Sequence, residues 1–124
     1  MFQNSVYFLS KKPAKFNLRL MNRICKNIGG YLVEIDSRKE QDFVAKFVTS
    51  KSIYSTYTGA IREGTFIYYN SKKPLPALKW YENNPDNRLG NENCVLITRG
   101  GLHDIRCGYI GTYLCELKVF FTRS

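Results

Sequence analysis

The residues of this sequence that could do chemistry are concentrated between positions 80 and 115. The candidate calcium ligands in this segment are Asn84, Asp86, Glu92 and Asp104, and His103 is a further polar residue beside them. Calcium takes about six to eight hard oxygen ligands, which carboxylates, amide carbonyls and water supply. The segment therefore favours a calcium site, although polar loops without a metal commonly contain the same residue types.

Catalysis is not indicated by these residues. No nucleophile and general base stand out as a pair, and the single histidine, His103, is next to the candidate metal ligand Asp104. Covalent catalysis needs a nucleophile that is activated by a neighbouring base. We therefore expect a binding protein and not an enzyme.

The charge of the chain is strongly positive and unevenly distributed. The 19 Lys and Arg residues outnumber the 10 acids, for a net charge of +9, and no acid precedes Glu34. A basic block can attract a polyanion such as nucleic acid, sulfated glycan or anionic lipid. The candidate residues are Lys15, Arg19, Arg23 and Lys26. The alternative is a solvated helix face.

Length and cysteine content limit the classes of protein to which this chain can belong. The chain of 124 residues is expected to form one domain, 1–124. It has no apolar run of about 18 residues, so no membrane span is expected, and its start lacks the apolar stretch of a signal peptide. Four cysteines without a C-x-x-C pair favour two structural disulfides and a secreted protein. Four free thiols in a cytosolic protein remain the alternative.

Hydrophobic spacing predicts the elements that must position the candidate ligands. A strand is predicted over residues 5–9 and an amphipathic helix over residues 15–28, which ends at Gly29 and Gly30. The predicted buried stripe of this helix comprises Phe16, Leu20, Met21, Ile24, Cys25 and Ile28.

The remainder of the sequence alternates between β-rich and polar segments. Residues 31–35 alternate like a strand, and Ser37 with Glu40 forms a capping box for a second helix that ends near Thr49. The predicted strands that follow cover 56–61, 65–69 and 94–98, and short segments come after them at 103–107 and 112–121. Residues 70–91 are predicted as a long loop, which is uncommon in a small domain unless the loop has a function.

Motifs along nearly the whole chain resemble the C-type lectin-like domain family. The helical part carries Cys25-x-x-x-Gly29-Gly30-Tyr31-Leu32-Val33-x-Ile35 and Glu40-Gln41-x-Phe43-Val44. The later motifs follow in the order of the family: Tyr57-Thr58-Gly59-Ala60, Glu63-Gly64-Thr65-Phe66, Trp80, Asn84-Pro85-Asp86, Glu92-Asn93-Cys94-Val95, Leu102-His103-Asp104, Cys107 and Tyr113-Leu114-Cys115-Glu116. No single motif is decisive, but their order and spacing together are specific.

The resemblance implies an α+β fold with two helices, small antiparallel sheets and a long loop region. It also implies two disulfides, Cys25 with Cys115 and Cys94 with Cys107. The additional N-terminal disulfide hairpin of longer family members is missing, so the chain resembles the short form. Trp80 is expected in the core with Tyr81 packed on it, and Tyr54 is expected to belong to a strand or the core.

In sugar-binding members of the family, one calcium ion is held around a cis proline and two sugar hydroxyls complete its coordination. If these roles are transferred to this sequence, the metal ligands are Asn84, Asp86, Glu92 and Asp104, and Pro85 is the cis proline. The same residues with His103 would contact the sugar. Members with Gln-Pro-Asp select galactose-like sugars, and the order of amide and acid in Asn84-Pro85-Asp86 is similar to that pattern.

Two residues depart from the family pattern. Asn84 is one methylene shorter than glutamine, and His103 replaces an asparagine, although imidazole is a poor ligand for a hard cation. His103 could still donate to a sugar or titrate near neutral pH.

We therefore expect a calcium-dependent lectin of galactose type. The alternative is a metal-independent lectin-like domain that binds a protein or a sulfated polyanion through its basic face. Nucleic acid is not an expected partner. Because one shallow sugar site binds only at about millimolar concentration, we also expect a homo-oligomer or array.

Overall fold

The computed structural model describes residues 2–87 and 90–119 of the chain. Its two helices are α1 (Leu18–Asn27) and α2 (Arg38–Ser50). Its strands are β1 (Ser5–Leu9), β2 (Ala14–Lys15), β3 (Tyr31–Leu32), β4 (Ser55–Glu63), β5 (Thr65–Tyr68), β6 (Cys94–Thr98), β7 (Gly101–Ile105), β8 (Ile110–Gly111) and β9 (Leu114–Lys118). Positions 120 and 121 of the last predicted segment lie outside the described residues.

The strands form three antiparallel sheets, which confirms the expected α+β fold. Their strand orders are β1-β9-β3, β2-β8 and β5-β4-β6-β7. In the first sheet, Ser5 of β1 pairs with Lys118 of β9. The second helix packs on the largest sheet, where Val44 and Val48 join Val95 and Ile97 in the core. Neither helix in the described part of the chain is long and apolar enough to cross a membrane.

Helix α1 buries only part of the predicted stripe. Its buried residues are Leu18, Met21, Asn22 and Cys25. Of the predicted stripe, Phe16, Met21 and Cys25 are buried as expected. Leu20, Ile24 and Ile28 are 49%, 39% and 50% exposed, so the prediction was wrong for these three. Residues four apart drift around a helix with 3.6 residues per turn, whereas the observed spacing of three and four keeps one face inward.

The start of α1 explains part of this error. Asn17 caps the helix, since its Oδ1 accepts a hydrogen bond from the Leu20 N–H at 3.0 Å. Phe16 therefore precedes the helix, and its buried ring stacks on Tyr57 at 3.9 Å between centroids. The buried Asn22 accepts the Leu32 N–H through Oδ1 at 2.9 Å, which ties α1 to β3.

Two disulfides connect the elements as the family resemblance implied. Cys25 of α1 bonds to Cys115 of β9, and Cys94 of β6 bonds to Cys107. All four cysteines are used in these bonds. The first bridge closes most of the chain into one loop, and the second fixes the end of the β6-β7 pair.

Helix α2 begins with the predicted cap. The Glu40 side chain, however, reaches one residue beyond the Ser37 cap. Ser37 Oγ accepts the Glu40 N–H at 3.1 Å. Glu40 Oε1 accepts the N–H of Asp36, one residue before the cap. The other oxygen, Oε2, accepts the hydroxyl proton of Tyr7 on β1. The buried Glu40 carboxyl therefore joins α2 to the sheet that contains β1.

Replacing Glu40 by alanine is expected to lower the free energy of unfolding by about 2–3 kcal/mol, because the buried Tyr7 hydroxyl loses its acceptor. Urea denaturation at pH 7 measures the change. Glu40→Gln is the matched control, since its carbonyl still accepts one bond at nearly the same volume. A loss in Glu40→Gln as large as in Glu40→Ala would contradict this role of hydrogen bonding.

The wild type and Glu40→Gln together also show how ionisation of the Glu40 carboxyl affects stability. Burial raises the pKa of Glu40, so the folded state favours the protonated carboxyl. The ordinary pKa of a glutamate carboxyl is about 4.3. Between that pH and the raised pKa of Glu40, the folded protein binds more protons than the unfolded protein. Wild-type stability relative to Glu40→Gln should therefore increase as pH falls from 7 towards the ordinary pKa.

Candidate metal centre

Three predicted ligands meet at one place. Asp86, Glu92 and Asp104 each offer a carboxylate oxygen, and these oxygens lie within 4.8 Å of one another. They line a cavity of about 320 Å³ whose walls also include Asn84 and His103. The structure thus brings together all five residues that the sequence analysis selected.

Asp104 is the buried member of this group. It lies on β7 opposite Val95 of β6, and its side chain is 0% exposed. Its Oδ1 accepts the Asp86 N–H at 3.0 Å, and its Oδ2 accepts the Asn87 N–H at 2.7 Å. One carboxylate therefore holds the loop that follows Pro85 against the sheet.

Arg62 on β4 is a functional candidate that the sequence analysis missed. Its Nη2 lies 2.9 Å from Asp104 Oδ2 in a salt bridge, and its Nε donates to the Glu92 carbonyl oxygen at 3.4 Å. The guanidinium also lies over the Phe66 ring, 4.3 Å from the centroid. Arg62 thus offsets part of the negative charge of the carboxylate group.

The loop around Pro85 is held by short-range hydrogen bonds. The Asn84-Pro85 peptide bond is cis. Asn84 donates through Nδ2 to the Glu82 carbonyl at 3.0 Å, so Oδ1 is the oxygen that it can offer to a ligand. Asn87 Oδ1 accepts the Glu92 N–H at 3.0 Å, and its positive φ of 46° is one that asparagine adopts more readily than most residues.

His103 lies beside this cavity and packs on Tyr81. The two rings are 4.6 Å apart between centroids with an interplanar angle of 23°. Among the described residues, its buried Nε2 has no hydrogen-bond partner. Burial lowers the pKa of His103, although Asp104 and Asp86 act in the opposite direction. Burial therefore favours the neutral form of this imidazole over the charged form.

Two aromatic predictions were wrong. Tyr81 packs on His103, whereas Trp80 packs on Phe66 at 5.2 Å between centroids. Tyr54 is 77% exposed and lines the cavity. Its position next to Ser55, the first residue of β4, is the signal that could have placed it at the rim.

The donor set fits a hard divalent cation. Three carboxylates and the amide oxygen of Asn84 are all hard ligands, and water or ligand oxygens would complete the coordination of about six to eight that calcium takes. The Arg62 charge beside Asp104 partly repels a second cation, and the negative charges of Asp86 and Glu92 oppose this repulsion. Imidazole is not needed in the set.

The predicted polyanion residues occupy a separate surface. Arg19, Arg23 and Lys26 line a groove beside α1. Lys15 lies on β2, opposite Ile110 of β8, and is not among the residues of that groove.

Comparisons with known proteins agree with this fold. Residues 16–117 match the family model described as the lectin C-type domain. Human CD209 antigen is 29% identical over 119 residues, which cover 93% of this chain and 29% of that protein. Mouse CD209 antigen-like protein A is 31% identical over the same share of this chain and 48% of its own length. The chain thus spans less than half of either relative.

Solved structures are similar over nearly the whole chain. The mouse scavenger receptor C-type lectin carbohydrate-recognition domain has a TM-score of 0.82 at 23% identity, covering 99% of this chain and 95% of that one. The cow CD23 carbohydrate-recognition domain, determined in the presence of a GlcNAc2Man3 oligosaccharide, has a TM-score of 0.78 at 27% identity, covering 97% and 92%.

Proposed function

Since the chain belongs to the lectin C-type domain family, we propose that it binds carbohydrate through one calcium ion at the candidate metal centre. The family consists of non-enzymatic carbohydrate-binding domains, in agreement with the expectation of a binding protein. The observation that carries the proposal is the convergence of the Asp86, Glu92 and Asp104 oxygens within 4.8 Å.

The proposed ligands are Asn84, Asp86, Glu92 and Asp104. A bound calcium ion supplies open coordination positions for two sugar hydroxyls. The chain contributes the rest of the recognition, because Asp86 and Glu92 each carry a second carboxylate oxygen and Asn84 carries an amide N–H that can hydrogen-bond the same hydroxyls. Asp104 keeps the loop in place through the Asp86 and Asn87 amides, so its role includes positioning.

We propose a galactose-like sugar. The amide of Asn84 precedes the acid of Asp86, and this order decides which side of the metal offers donors and which offers acceptors to the sugar hydroxyls. Tyr54 provides an exposed ring at the rim of the cavity, where it can contact the apolar face of a sugar. His103 is held by Tyr81 and remains available as a neutral hydrogen-bonding group.

We also propose a secreted protein whose copies act together. Two disulfides support an oxidising compartment. A single open cavity that contacts one sugar would bind at about millimolar concentration, so avidity would require several copies.

Calorimetry tests the proposal with galactose and its N-acetyl amine, in calcium and in EDTA. Binding is expected only with calcium, and Asp86→Ala is expected to abolish it without unfolding the domain. Calcium at about 100 times its dissociation constant should stabilise the wild type by about 2.7 kcal/mol in thermal unfolding.

Asp42→Ala is the matched control, since Asp42 is an exposed acid on α2 away from the cavity. It should bind calcium and sugar like the wild type. Sugar binding that survives EDTA, or that persists in Asp86→Ala, would refute the site. Tighter binding of mannose than of galactose would refute the proposed galactose preference but not the proposed calcium site.

A further inference from the structure

A second concave surface lies between α1 and the segment that follows β5. Its volume is about 340 Å³. We refer to it as the basic groove, formed by Arg19, Arg23, Lys26, Tyr69, Asn70 and Lys72. The helix supplies three of the four cations because residues 19, 23 and 26 are spaced by four and three and share one face. Lys72 was not predicted from the sequence, since only the fold brings it opposite the helix.

The two walls of the basic groove are fixed to each other and to the core. Asn22 Nδ2 donates to Asn70 Oδ1 at 3.2 Å, and the same side chain accepts the Leu32 N–H. The neighbouring Ser71 N–H donates to Glu34 Oε2 at 3.0 Å. The groove is therefore preformed, so a ligand would not have to order its walls.

Charge in the groove is of one sign. No acid is among its lining residues, and within the described residues none of its four cations forms a salt bridge. Several of the chain's acids are committed elsewhere. Glu40 and Glu116 are buried elsewhere, Asp86, Glu92 and Asp104 form the candidate metal centre, and Glu34 is buried behind the groove wall, where its Oε2 accepts the Ser71 N–H. Four unpaired cations around a concavity create a field that attracts an anionic ligand.

We propose that the basic groove binds a linear sulfated polysaccharide, independently of calcium. Arg19 and Lys26 are separated by about 10 Å along the helix axis, so one extended chain can place several sulfates against the helix at once. The guanidinium groups of Arg19 and Arg23 can donate paired hydrogen bonds to sulfate oxygens.

Two other polyanions fit the groove less well. A lipid bilayer presents a broad flat surface, whereas these cations line an open concavity between α1 and the segment after β5. Single-stranded nucleic acid is bound by stacking its bases on open aromatic rings. The one aromatic ring of the groove, Tyr69, has the Lys72 ammonium over it at 4.6 Å. Two structural disulfides are typical of proteins from oxidising compartments, where nucleic acid is not the expected polyanion.

Binding to immobilised heparin in EDTA tests this site without involving calcium. The variant Arg23→Gln/Lys72→Gln should bind about tenfold more weakly than the wild type, because two anion contacts are removed. The matched control is Lys39→Gln/Lys46→Gln, which removes the same charge from exposed positions on α2 and should bind like the wild type. A tenfold rise in salt should weaken wild-type binding about 100-fold if three ionic contacts form.

Several outcomes would overturn the proposal. One is an equal loss in both double variants, which would mean that net charge alone drives binding. Another is binding of a single-stranded oligonucleotide or of phosphatidylserine vesicles as tight as that of heparin. Asp86→Ala should retain heparin binding, so failure of the calcium-dependent sugar site leaves this proposal standing. Loss of heparin binding in that variant would contradict a separate groove.

Discussion

Replacing Asp104 by alanine is expected to abolish calcium binding and to lower the free energy of unfolding by about 2–4 kcal/mol in the absence of metal. The carboxylate accepts two backbone N–H groups and forms a salt bridge with Arg62, all from a side chain that is 0% exposed. Its removal leaves the half-buried guanidinium without this partner. Urea denaturation in EDTA measures the stability. Calcium binding is measured by the increase in melting temperature when calcium is added.

A double-mutant cycle with Arg62→Met separates the two roles of Asp104. If the salt bridge stabilises the fold, the double variant should be about 1–2 kcal/mol more stable than the sum of the single losses implies. Arg62→Met alone should bind calcium at least as tightly as the wild type, because a positive charge 2.9 Å from a proposed ligand oxygen is gone. Additive losses in the cycle, or weaker calcium binding in Arg62→Met, would contradict this account.

Removal of the Cys25–Cys115 disulfide is expected to have the largest effect on stability. In the chain-entropy model, a bridge between residues 90 positions apart stabilises by about 4–5 kcal/mol, because it restricts nearly the whole unfolded chain. The variant Cys25→Ala/Cys115→Ala should therefore be largely unfolded or melt far below the wild type. Denaturant unfolding under oxidising conditions measures the difference.

The second disulfide provides the comparison. Cys94 and Cys107 are 13 positions apart, so the same model gives about 3 kcal/mol for Cys94→Ala/Cys107→Ala. The order of the two effects is the informative result. A greater loss from the short loop would mean that packing around β6 and β7, and not loop closure, determines what each bridge contributes.

Much of the site could be predicted because its ligands are close in sequence and follow a known order of motifs. Asp86, Glu92 and Asp104 meet as the resemblance implied. Arg62 could not be found in the same way. The register of β4 against β6 shifts between Tyr57 and Ile61, so simple alternation does not tell which face position 62 occupies. An arginine in a strand is also compatible with full exposure to solvent.

The fold shows where hydrophobic spacing fails. The sequence contains two apolar series on α1, and only the series that includes Cys25 is inward, because its disulfide to Cys115 and the bonds of Asn22 fix the helix rotation. Asn22 is a polar residue on the buried face, which an apolar pattern cannot reveal. Lys72 joins the basic groove through tertiary contacts alone.

Pairing of Ser5 with Lys118 has a practical implication for engineering. The strand that enters the domain and the strand that leaves it are hydrogen-bonded neighbours, about 4.8 Å apart. Polypeptide fused to either strand would thus emerge at the same place, so the unit can be inserted into a surface loop of a host scaffold or repeated in tandem with short spacers. Residues Ser5 and Lys118 line neither of the two proposed binding surfaces.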